Sequence, residues 1–532
     1  MVVPPLRRGV GATGDVASGM PFAQPTTPAP AKVRERAADV LCSEPLAPIV
    51  EVVLSNPVPE TYEARAVDGR VRFRRELEGA GWRFEVEGVD GRNPLGDQAT
   101  DRFVGVDVER SALHPERTAN AYPFAYDQVA QFFDAPSAPD LCVVHTAAHN
   151  WEDAGGHRGE HGSLDAVQAR APFVIGGAGV RRMGVVPRAC RLVDVAPTVL
   201  ALLGAEPGPG IGRNGERRDD AYLARQDGEP LLDLLEPGAE PPGTVIGFLF
   251  DGANPNVLYD MARRGEAPNV GRLLDAGTAF EHGAVASLPT VTLANHTGVL
   301  TGCFPGHHGI LGNAWWDRAD AEQVITNSPT TWPTSMRRLD PTVDTIHRAV
   351  KRARPGSVSV SINEPCDSYA DYSTFELIRR GEPLDRPPGP DDLPHATGRF
   401  VRPSKDYRWS SRTDHTAVDQ FAGIWSGRHR GVEWDRPAFC WVNFTLTDAA
   451  FHEGGPHSEI AAASVRDTDA RLGAILDEVE RSGAWDETAF FLVADHGMEE
   501  TDPAVQGDWG PALADAGIAY RDEAFGFLYF EG

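Results

Sequence analysis

The chain has 532 residues and a formal net charge of −27 at pH 7, which argues against a nucleic-acid polymer or an anionic membrane surface as a partner. The six cysteines are scattered without a CxxC pair, so buried thiols are favoured over disulfides. No segment has the length of a membrane span or the pattern of a signal peptide, and we therefore expect a cytoplasmic protein with no membrane contact.

The chain opens with a segment that lacks periodicity. Residues 1–32 are rich in Pro, Gly, Ala and Thr, and this composition predicts a disordered leader. A helix from Val33 and an apolar run from Ile49 to Leu54 follow. Asp68-Gly69 between two alternating segments then predicts a β-hairpin. A helix near 123–133 and a buried strand over 140–145 complete this region.

A glycine-rich loop with four histidines follows the buried strand. It reads HTAAHNWEDAGGHRGEHGSL and leads into the strand-like APFVIGG and then into LVDVAPTVLALLG. Loops of this composition are often merely polar, so the histidines alone do not indicate a metal site. Residues 236–243 are rich in Pro and Gly, which predicts a linker.

In the second half, acidic and imidazole side chains follow three apolar runs. They are Asp251 after Val245 to Phe250, Asp448 and His452 after Phe439 to Leu446, and Asp495 and His496 after Thr488 to Ala494. Open α/β sheets build their sites at the carboxyl ends of their strands, so we expect these side chains to meet. Carboxylate and imidazole donors suit zinc, and two such sets suit a pair of metal ions.

The stretch from Leu288 to Asn313 places a threonine in a polar turn just before an apolar helix. Such a turn presents a hydroxyl nucleophile at a sheet edge, and threonine needs a base or a metal to stabilise its alkoxide. Taken alone, Thr290 or Thr292 is better explained as a helix cap.

The remaining segments carry fewer signals. SVSVSINEP predicts a buried strand with a polar exit at Asn363 and Glu364, and DYRWSSRTDHTAVDQFAGIW predicts a surface segment leading into a helix that begins near His415. An amphipathic helix from Ser458 is expected to pack on the core.

Together, these motifs resemble the alkaline phosphatase superfamily and, within it, the nucleotide pyrophosphatase/phosphodiesterase branch. The matching motifs are FDG at Asp251, PTVTLANH around Thr292, TG-x-x-P-G-H-H-G-I-x-G-N ending at Asn313, D-x-x-x-H-x-x-G-P from Asp448 and ADHGM from Asp495. The resemblance implies an α/β fold with a mostly parallel central sheet flanked by helices. It also implies two Zn²⁺ ions, a small phosphate-ester or nucleotide substrate, and hydrolysis of a phosphodiester or pyrophosphate bond through a phospho-threonine.

The resemblance assigns roles by position. Thr292, the second threonine of the PT-x-T motif, would be the nucleophile, and Thr290 would be structural. One zinc would be held by Asp251, Thr292, Asp495 and His496, and the other by Asp448, His452 and a third histidine. Asn313 and the backbone NH of Thr292 would donate hydrogen bonds to a non-bridging phosphate oxygen.

The third histidine marks a departure from the family pattern. In the family it lies further along the chain, whereas here no histidine follows His496. The GEHGS and D-x-APT segments resemble the late part of a family domain, so His161 is the predicted ligand. Residues 33–235 then resemble the family's second half and 244–532 its first half. This order predicts a circular permutation in which both halves form one structural domain.

Three alternatives remain open on these residues. The nearest is a phosphonoacetate hydrolase, which shares the metals and a similar threonine motif and cleaves a carbon–phosphorus bond. A phosphomonoesterase or phosphomutase is a second, and a catalytically silent metal-binding protein is a third. A sulfatase is disfavoured because the chain has no C-x-P-S-R signature.

Overall fold

The computed structural model describes residues 25–79, 81–150, 157–328, 330–382, 405–523 and 526–531. At its centre lies an eight-stranded sheet in the order Tyr372–Ser373, Val358–Ile362, Pro437–Phe444, Thr244–Phe250, Thr488–Val493, Phe173–Gly177, Gly277–Phe280, Gly184–Val186. Five of the seven neighbouring pairs are parallel, and the Phe173–Gly177 strand is antiparallel to both of its neighbours. The predicted α/β fold with a mostly parallel central sheet is confirmed.

The central strands are apolar on both faces because helices cover the sheet on both sides. Every residue of Thr244–Phe250, Pro437–Phe444 and Thr488–Val493 is buried. The helices of the described residues are Ala31–Leu41, Val106–Ser111, Ala125–Phe132, Ala166–Ala169, Val195–Leu202, Pro255–Arg263, Pro268–Ala276, Thr292–Thr301, Pro305–His308, Ile346–Ala353, Thr374–Arg379, Lys405–Trp425, Leu446–Gly454, Glu459–Arg481 and Gly510–Asp515.

A second, antiparallel sheet of seven strands packs beside the first. Its order is Tyr520–Glu523, Phe527–Phe530, Leu141–His145, Val50–Val58, Thr61–Ala66, Gly69–Glu78, Gly81–Gly91. The hairpin predicted at Asp68-Gly69 joins two of these strands. The sequence analysis missed the strand Gly81–Gly91, because this edge strand is largely exposed and has no buried face to give it an apolar pattern.

Strands from both halves of the chain share these sheets. Phe173–Gly177, from the first half, pairs with Thr488–Val493 and with Gly277–Phe280. Leu141–His145 pairs with Phe527–Phe530 in the second sheet. Residues 33–235 and 244–532 therefore do not form two independent domains. The boundary at the linker 236–243 and the permuted order of the halves stay predictions.

Two local predictions differ from the structure. The end of the predicted leader packs on the fold, because the Trp316 Nε1–H donates to the carbonyl of Pro25 (3.0 Å) and Ala29 is buried; residues 1–24 lie outside the described residues. His415 does not start a helix. It lies within the helix Lys405–Trp425, which extends further towards the N-terminus than expected because residues such as Ser411 and Asp414 are already buried against the fold.

All six cysteines are free thiols, and five of them are buried. This agrees with the preference for thiols over disulfides. Across the described ranges, the helices lack the combination of length and apolar character that crossing a membrane requires.

Candidate active site

The predicted ligands of the second half lie at one edge of the central sheet. Asp251 directly follows the strand Thr244–Phe250, and Asp495 lies two residues beyond Thr488–Val493. The helix Leu446–Gly454 starts shortly after Pro437–Phe444, and its i, i+4 spacing puts Asp448 and His452 on one face. Because these three strands are parallel neighbours, their carboxyl ends place all five side chains together.

The first cluster joins residues from distant parts of the chain. His161, Asp448 and His452 each offer a ligand atom, and these atoms lie within 4.8 Å of one another. Asp448 Oδ1 is 3.4 Å from His452 Nε2 and 3.9 Å from His161 Nε2. A circular permutation predicts this arrangement, in which His161 from the first half of the chain lies beside Asp448 and His452 from the second half.

The second cluster consists of Asp251, Asp495 and His496, again with ligand atoms within 4.8 Å of one another. His496 Nε2 is 3.1 Å from Asp495 Oδ2 and 3.9 Å from Asp251 Oδ1. The rings of His161 and His496 stack with their centroids 3.7 Å apart, so the two clusters are adjacent. All three side chains of this second cluster are buried.

Each histidine of the two clusters is oriented by a hydrogen bond from its other ring nitrogen. The Nδ1–H groups donate to the carbonyls of Thr290 from His161 (2.8 Å), of Gly159 from His452 (2.7 Å) and of Gly497 from His496 (2.8 Å). A carbonyl can only accept, so each Nδ1 carries the proton and each Nε2 faces the site. This is how proteins fix the tautomer of a metal-ligating imidazole.

The electrostatics of the clusters fit a divalent cation. Burial and the neighbouring Asp495 and Asp448 raise the pKa of Asp251 well above its usual value, because like charges are crowded away from water. Burial lowers the pKa of His452 to about 4 and keeps it neutral, the form that binds metal. Burial alone would lower the pKa of His496, but the charge of Asp495 raises it to about 9. A proton there and a metal ion are alternative ways to neutralise the same carboxylates.

Buried ligand atoms without hydrogen-bond partners also indicate a cation site. Asp251 Oδ1, Asp448 Oδ1, Asp495 Oδ2 and His496 Nε2 are buried atoms without a hydrogen-bond partner in the described part of the chain. Leaving such atoms unpaired costs about 1–3 kcal/mol each, and more for charged groups, unless a ligand satisfies them. Carboxylate oxygens and imidazole nitrogens in groups of three are the donor sets of zinc sites that keep a further position open.

The two threonines of the PT-x-T motif differ in their surroundings. Thr290 is fully buried, and its hydroxyl is used twice, because it donates to the Ser163 carbonyl (2.8 Å) and accepts from the Gly162 N–H (2.9 Å). Thr292 is half-buried and is the first residue of the helix Thr292–Thr301, whose start no side chain caps. The first-turn N–H groups of an uncapped helix favour an anion.

Asn313 lies at the end of the same motif stretch. Its backbone carbonyl accepts from the N–H groups of Thr326 and Asn327, which fixes the turn. Its side-chain Oδ1 is buried and has no hydrogen-bond partner among the described residues. This oxygen is therefore not held by the surrounding described residues.

The sequence analysis assigned no role to His296, Glu364 or Gly252, although all three belong to the site. His296 is buried one helical turn after Thr292, and its Nε2 is 3.5 Å from Asp495 Oδ2. The Gly252 N–H donates to Asp495 Oδ1 (3.0 Å). The sequence indicates only their positions, since His296 shares a helix face with Thr292 at i+4 and Glu364 follows a strand of the same sheet; neither position by itself indicates a role.

A third potential group, His157, Glu160 and His452, shares His452 with the first cluster. In this group the Nδ1 of His452 faces Glu160 at 3.8 Å, but that nitrogen already donates to the Gly159 carbonyl. The Nε2 of His452 faces Asp448. The histidine is thus oriented for the first cluster.

Comparison with known proteins bears on this geometry. Residues 245–525 match a family model described as type I phosphodiesterase/nucleotide pyrophosphatase. The chain is 31% identical over 102 residues to alkaline phosphatase PafA of Elizabethkingia meningoseptica, covering 19% of each chain. It is 24% identical over 268 residues to the bis(5'-adenosyl)-triphosphatase enpp4 of Xenopus laevis, covering 48% of this chain and 47% of that protein.

Among solved structures, murine ectonucleotide pyrophosphatase/phosphodiesterase 5 aligns with 18% identity and a TM-score of 0.32, over 48% of this chain and 57% of that one. This likeness is too low to carry an argument, and the fold rests on the sheet order described above. The matches to both curated relatives span less than half of their length.

Proposed function

Because the chain belongs to the type I phosphodiesterase/nucleotide pyrophosphatase family, we propose that it is a metal-dependent hydrolase of phosphodiester or pyrophosphate bonds that uses Thr292 as its nucleophile. The substrate would be a small phosphate ester or a nucleotide. The match covers residues 245–525, whereas His161 comes from outside that range. The proposal therefore extends to both halves of the chain.

One observation carries the proposal. Two adjacent clusters of unpaired carboxylate and imidazole atoms lie at the carboxyl edge of the sheet, next to a helix that begins with Thr292. The Thr290 carbonyl, two residues before Thr292, holds His161 of one cluster. His296, four residues after Thr292, faces Asp251 and Asp495 of the other. Residues on either side of Thr292 in the chain therefore contact the clusters, Thr290 on one side and His296 on the other.

In the proposed reaction, the side chains and backbone groups around Thr292 have distinct roles. Thr292 Oγ attacks phosphorus in line, so that the Oγ–phosphorus bond forms as the bond to the leaving oxygen breaks. Water then cleaves the phospho-threonine and restores the hydroxyl. The uncapped N–H groups at the helix start and the side-chain NH2 of Asn313 donate to the non-bridging oxygens, where negative charge develops. Thr290 takes no part, because its hydroxyl is committed to Ser163 and Gly162.

Zinc is the metal that we assign to the site. One ion would be held by Asp251, Asp495, His496 and Thr292, and the other by His161, Asp448 and His452. When bound, the two cations would supply Lewis-acid stabilisation of the phosphoryl charge and would lower the pKa of the threonine hydroxyl.

The test compares two threonine variants of the helix Thr292–Thr301. We expect Thr292→Ala to lose activity on bis-p-nitrophenyl phosphate by on the order of a thousandfold or more, since the nucleophile is gone. Thr297→Ala is the matched control, because that hydroxyl is buried on the same helix and, among the described residues, donates to the Leu293 carbonyl alone. It should stay within several-fold of the parent. Equal losses in both variants would contradict the assigned nucleophile.

The same assay tests the substrate preference and the metal dependence of the activity. A nucleotide diester and phosphonoacetate are compared with bis-p-nitrophenyl phosphate, and turnover of phosphonoacetate alone would assign carbon–phosphorus cleavage instead. Chelator treatment should abolish turnover and added zinc should restore it. Full turnover by protein that metal analysis shows to be free of metal would refute the metal-dependent mechanism.

A further inference from the structure

The buried histidine on the nucleophile helix has surroundings that neither catalysis nor simple packing explains. His296 is 1% exposed and lies one helical turn after Thr292. Its two ring nitrogens face carboxylates on opposite sides, Glu364 on one and the pair Asp251 and Asp495 on the other. A buried imidazole between three carboxylates is a costly arrangement to maintain without a role.

Glu364 fixes the ring. His296 Nδ1 is 2.8 Å from Glu364 Oε2, and Glu364 Oε1 accepts from the Cys366 N–H at 2.8 Å. The Glu364 backbone carbonyl also accepts from the Ser361 hydroxyl at 3.1 Å. Glu364 is fully buried, so neither the carboxylate nor the ring has room to turn. The carboxylate accepts from Nδ1, and this leaves Nε2 directed at the two aspartates.

The other side of the ring faces one oxygen of each aspartate. His296 Nε2 is 3.8 Å from Asp251 Oδ2, whereas Asp251 Oδ1 is the oxygen that faces His496. Asp495 Oδ2 is 3.5 Å from His296 Nε2, and the Gly252 N–H binds Asp495 Oδ1. Asp495 Oδ2 is also 3.1 Å from His496 Nε2, so His296 approaches the cluster-facing oxygen of Asp495. The ring of His296 therefore borders both carboxylates and limits their rotation.

The geometry assigns His296 to this supporting position and not to the ligand set. Among the described residues, the group whose donor atoms lie mutually within 4.8 Å comprises Asp251, Asp495 and His496, and it does not include His296. Glu364 orients His296 in the same way that a backbone carbonyl orients each histidine of the two clusters. His296 in turn contacts the two aspartates.

We infer that His296 and Glu364 form a positioning pair that holds Asp251 and Asp495 in the orientation that binds the metal ion. This inference rests on the metal centre of the proposed function. It adds two residues that act through other side chains and that do not touch the substrate. Loss of such outer partners typically lowers metal affinity by about 10–100-fold. We expect a loss of this size for His296→Gln and for Glu364→Gln.

The experiment measures zinc affinity by competition with a chromophoric chelator, a readout independent of turnover. Glu364→Gln tests the pair without altering the helix, because an amide cannot accept from both His296 and the Cys366 N–H. The matched control is His347→Gln, which removes another fully buried imidazole whose Nδ1 is 2.6 Å from the Ser359 hydroxyl, away from the ligands. The control should lose stability but keep the zinc affinity of the parent protein.

Cobalt substitution separates positioning from direct ligation. At saturating cobalt, the visible absorption of His296→Gln should match that of the parent, because the ligands are unchanged. A changed spectrum would make His296 a ligand and overturn the inference, as would parent-like zinc affinity in both variants or an equal loss in the control. A parent protein that binds no zinc would instead refute the metal centre itself, so the two failures are distinguishable.

Discussion

At the scale of single residues, Gly252 lies between the two clusters and has no space for a side chain. Its φ is +64°, and a Cβ there would lie 2.9 Å from Asp448 Oδ1 and 3.2 Å from Asp448 Cα. The missing side chain of Gly252 therefore leaves room for Asp448 next to Asp251. The two clusters can approach each other closely at this position.

Gly252→Ala should therefore damage metal binding beyond its effect on the backbone. A non-glycine residue in the left-handed region costs about 1–2 kcal/mol of folding free energy. Gly265→Ala is the matched control, since Gly265 has φ +73° and nothing within 4 Å of its Cβ position. Denaturant unfolding should show similar losses in both variants, whereas zinc titration should show weakened binding only in Gly252→Ala. Unchanged zinc affinity in Gly252→Ala would mean that Asp448 does not need its observed position.

At the scale of elements, the short helix Pro305–His308 is fastened to the first half of the chain by a buried charge triad. His307 Nδ1 is 2.6 Å from Asp227 Oδ2, and its Nε2 is 2.9 Å from Asp134 Oδ2. Burial alone would lower the pKa of His307, but Asp227 and the hydrogen bond to Asp134 raise it above 6.5. Burial would raise the pKa of Asp227, but the charge of His307 lowers it below 3.8.

The triad predicts a defined dependence of stability on pH. The histidine contribution is fully present below its unfolded pKa of about 6.5 and is lost as pH rises through the higher folded value. The aspartate contributions are present above about pH 4 and are lost as pH falls through the lowered values. His307→Gln should lower the unfolding free energy by about 3 kcal/mol near pH 6, since the buried Asp227 carboxylate loses its charged partner. The effect should shrink towards alkaline pH.

Urea unfolding at several pH values between 5.5 and 9 measures this effect. The control is His347→Gln, because burial lowers the pKa of His347 to about 3 and keeps that ring neutral across the range. Because only the unfolded ring gains a proton below about pH 6.5, the loss in the control should be constant above about pH 7.5 and should shrink towards pH 5.5, the opposite direction from His307→Gln. A pH-independent loss in His307→Gln would show that His307 is neutral in the folded protein.

The elements also show what the sequence could and could not predict. Apolar runs that end in Asp251, Asp448 or Asp495 were recognisable because buried parallel strands are apolar throughout and place polar residues at one edge. The roles of His296 and Glu364 were not, because a single histidine or glutamate has no periodic pattern and its meaning depends on a contact 68 positions away. The edge strand Gly81–Gly91 was missed for lack of a buried face.

At the scale of the whole molecule, the two ends of the described chain meet. Asp140 accepts from the Ala29 N–H (2.8 Å) through Oδ1 and from the Phe530 N–H (2.9 Å) through Oδ2. Leu528 and Phe530 pack in one apolar cluster with Ala37 and Leu41 of the first helix. The order of segments is thus not imposed by the fold, since the far end of residues 244–531 lies beside the start of residues 29–235.

We propose that the order of the halves is a circular permutation, and reversing it is the test. A chain that runs from 244 to 531, then through a short glycine–serine linker into 29–235, should fold, bind zinc and hydrolyse bis-p-nitrophenyl phosphate like the parent protein. The control keeps the natural order and carries the same linker at the exposed residues 237–240. If the control is active but the reordered chain is insoluble or binds no zinc, the circular permutation is contradicted.

The central strand Phe173–Gly177 has a consequence for synthesis. It lies between Thr488–Val493 and Gly277–Phe280, and the carbonyl that orients His452 belongs to Gly159, 293 positions earlier. At 5–20 residues per second, a ribosome needs roughly 15–60 s to make residues 178–487, which separate the strand Phe173–Gly177 from Thr488–Val493. Throughout this interval the edge that later pairs with Thr488–Val493 is exposed and of the kind that aggregates. Yield in the cell should therefore depend on chaperone supply and on translation speed.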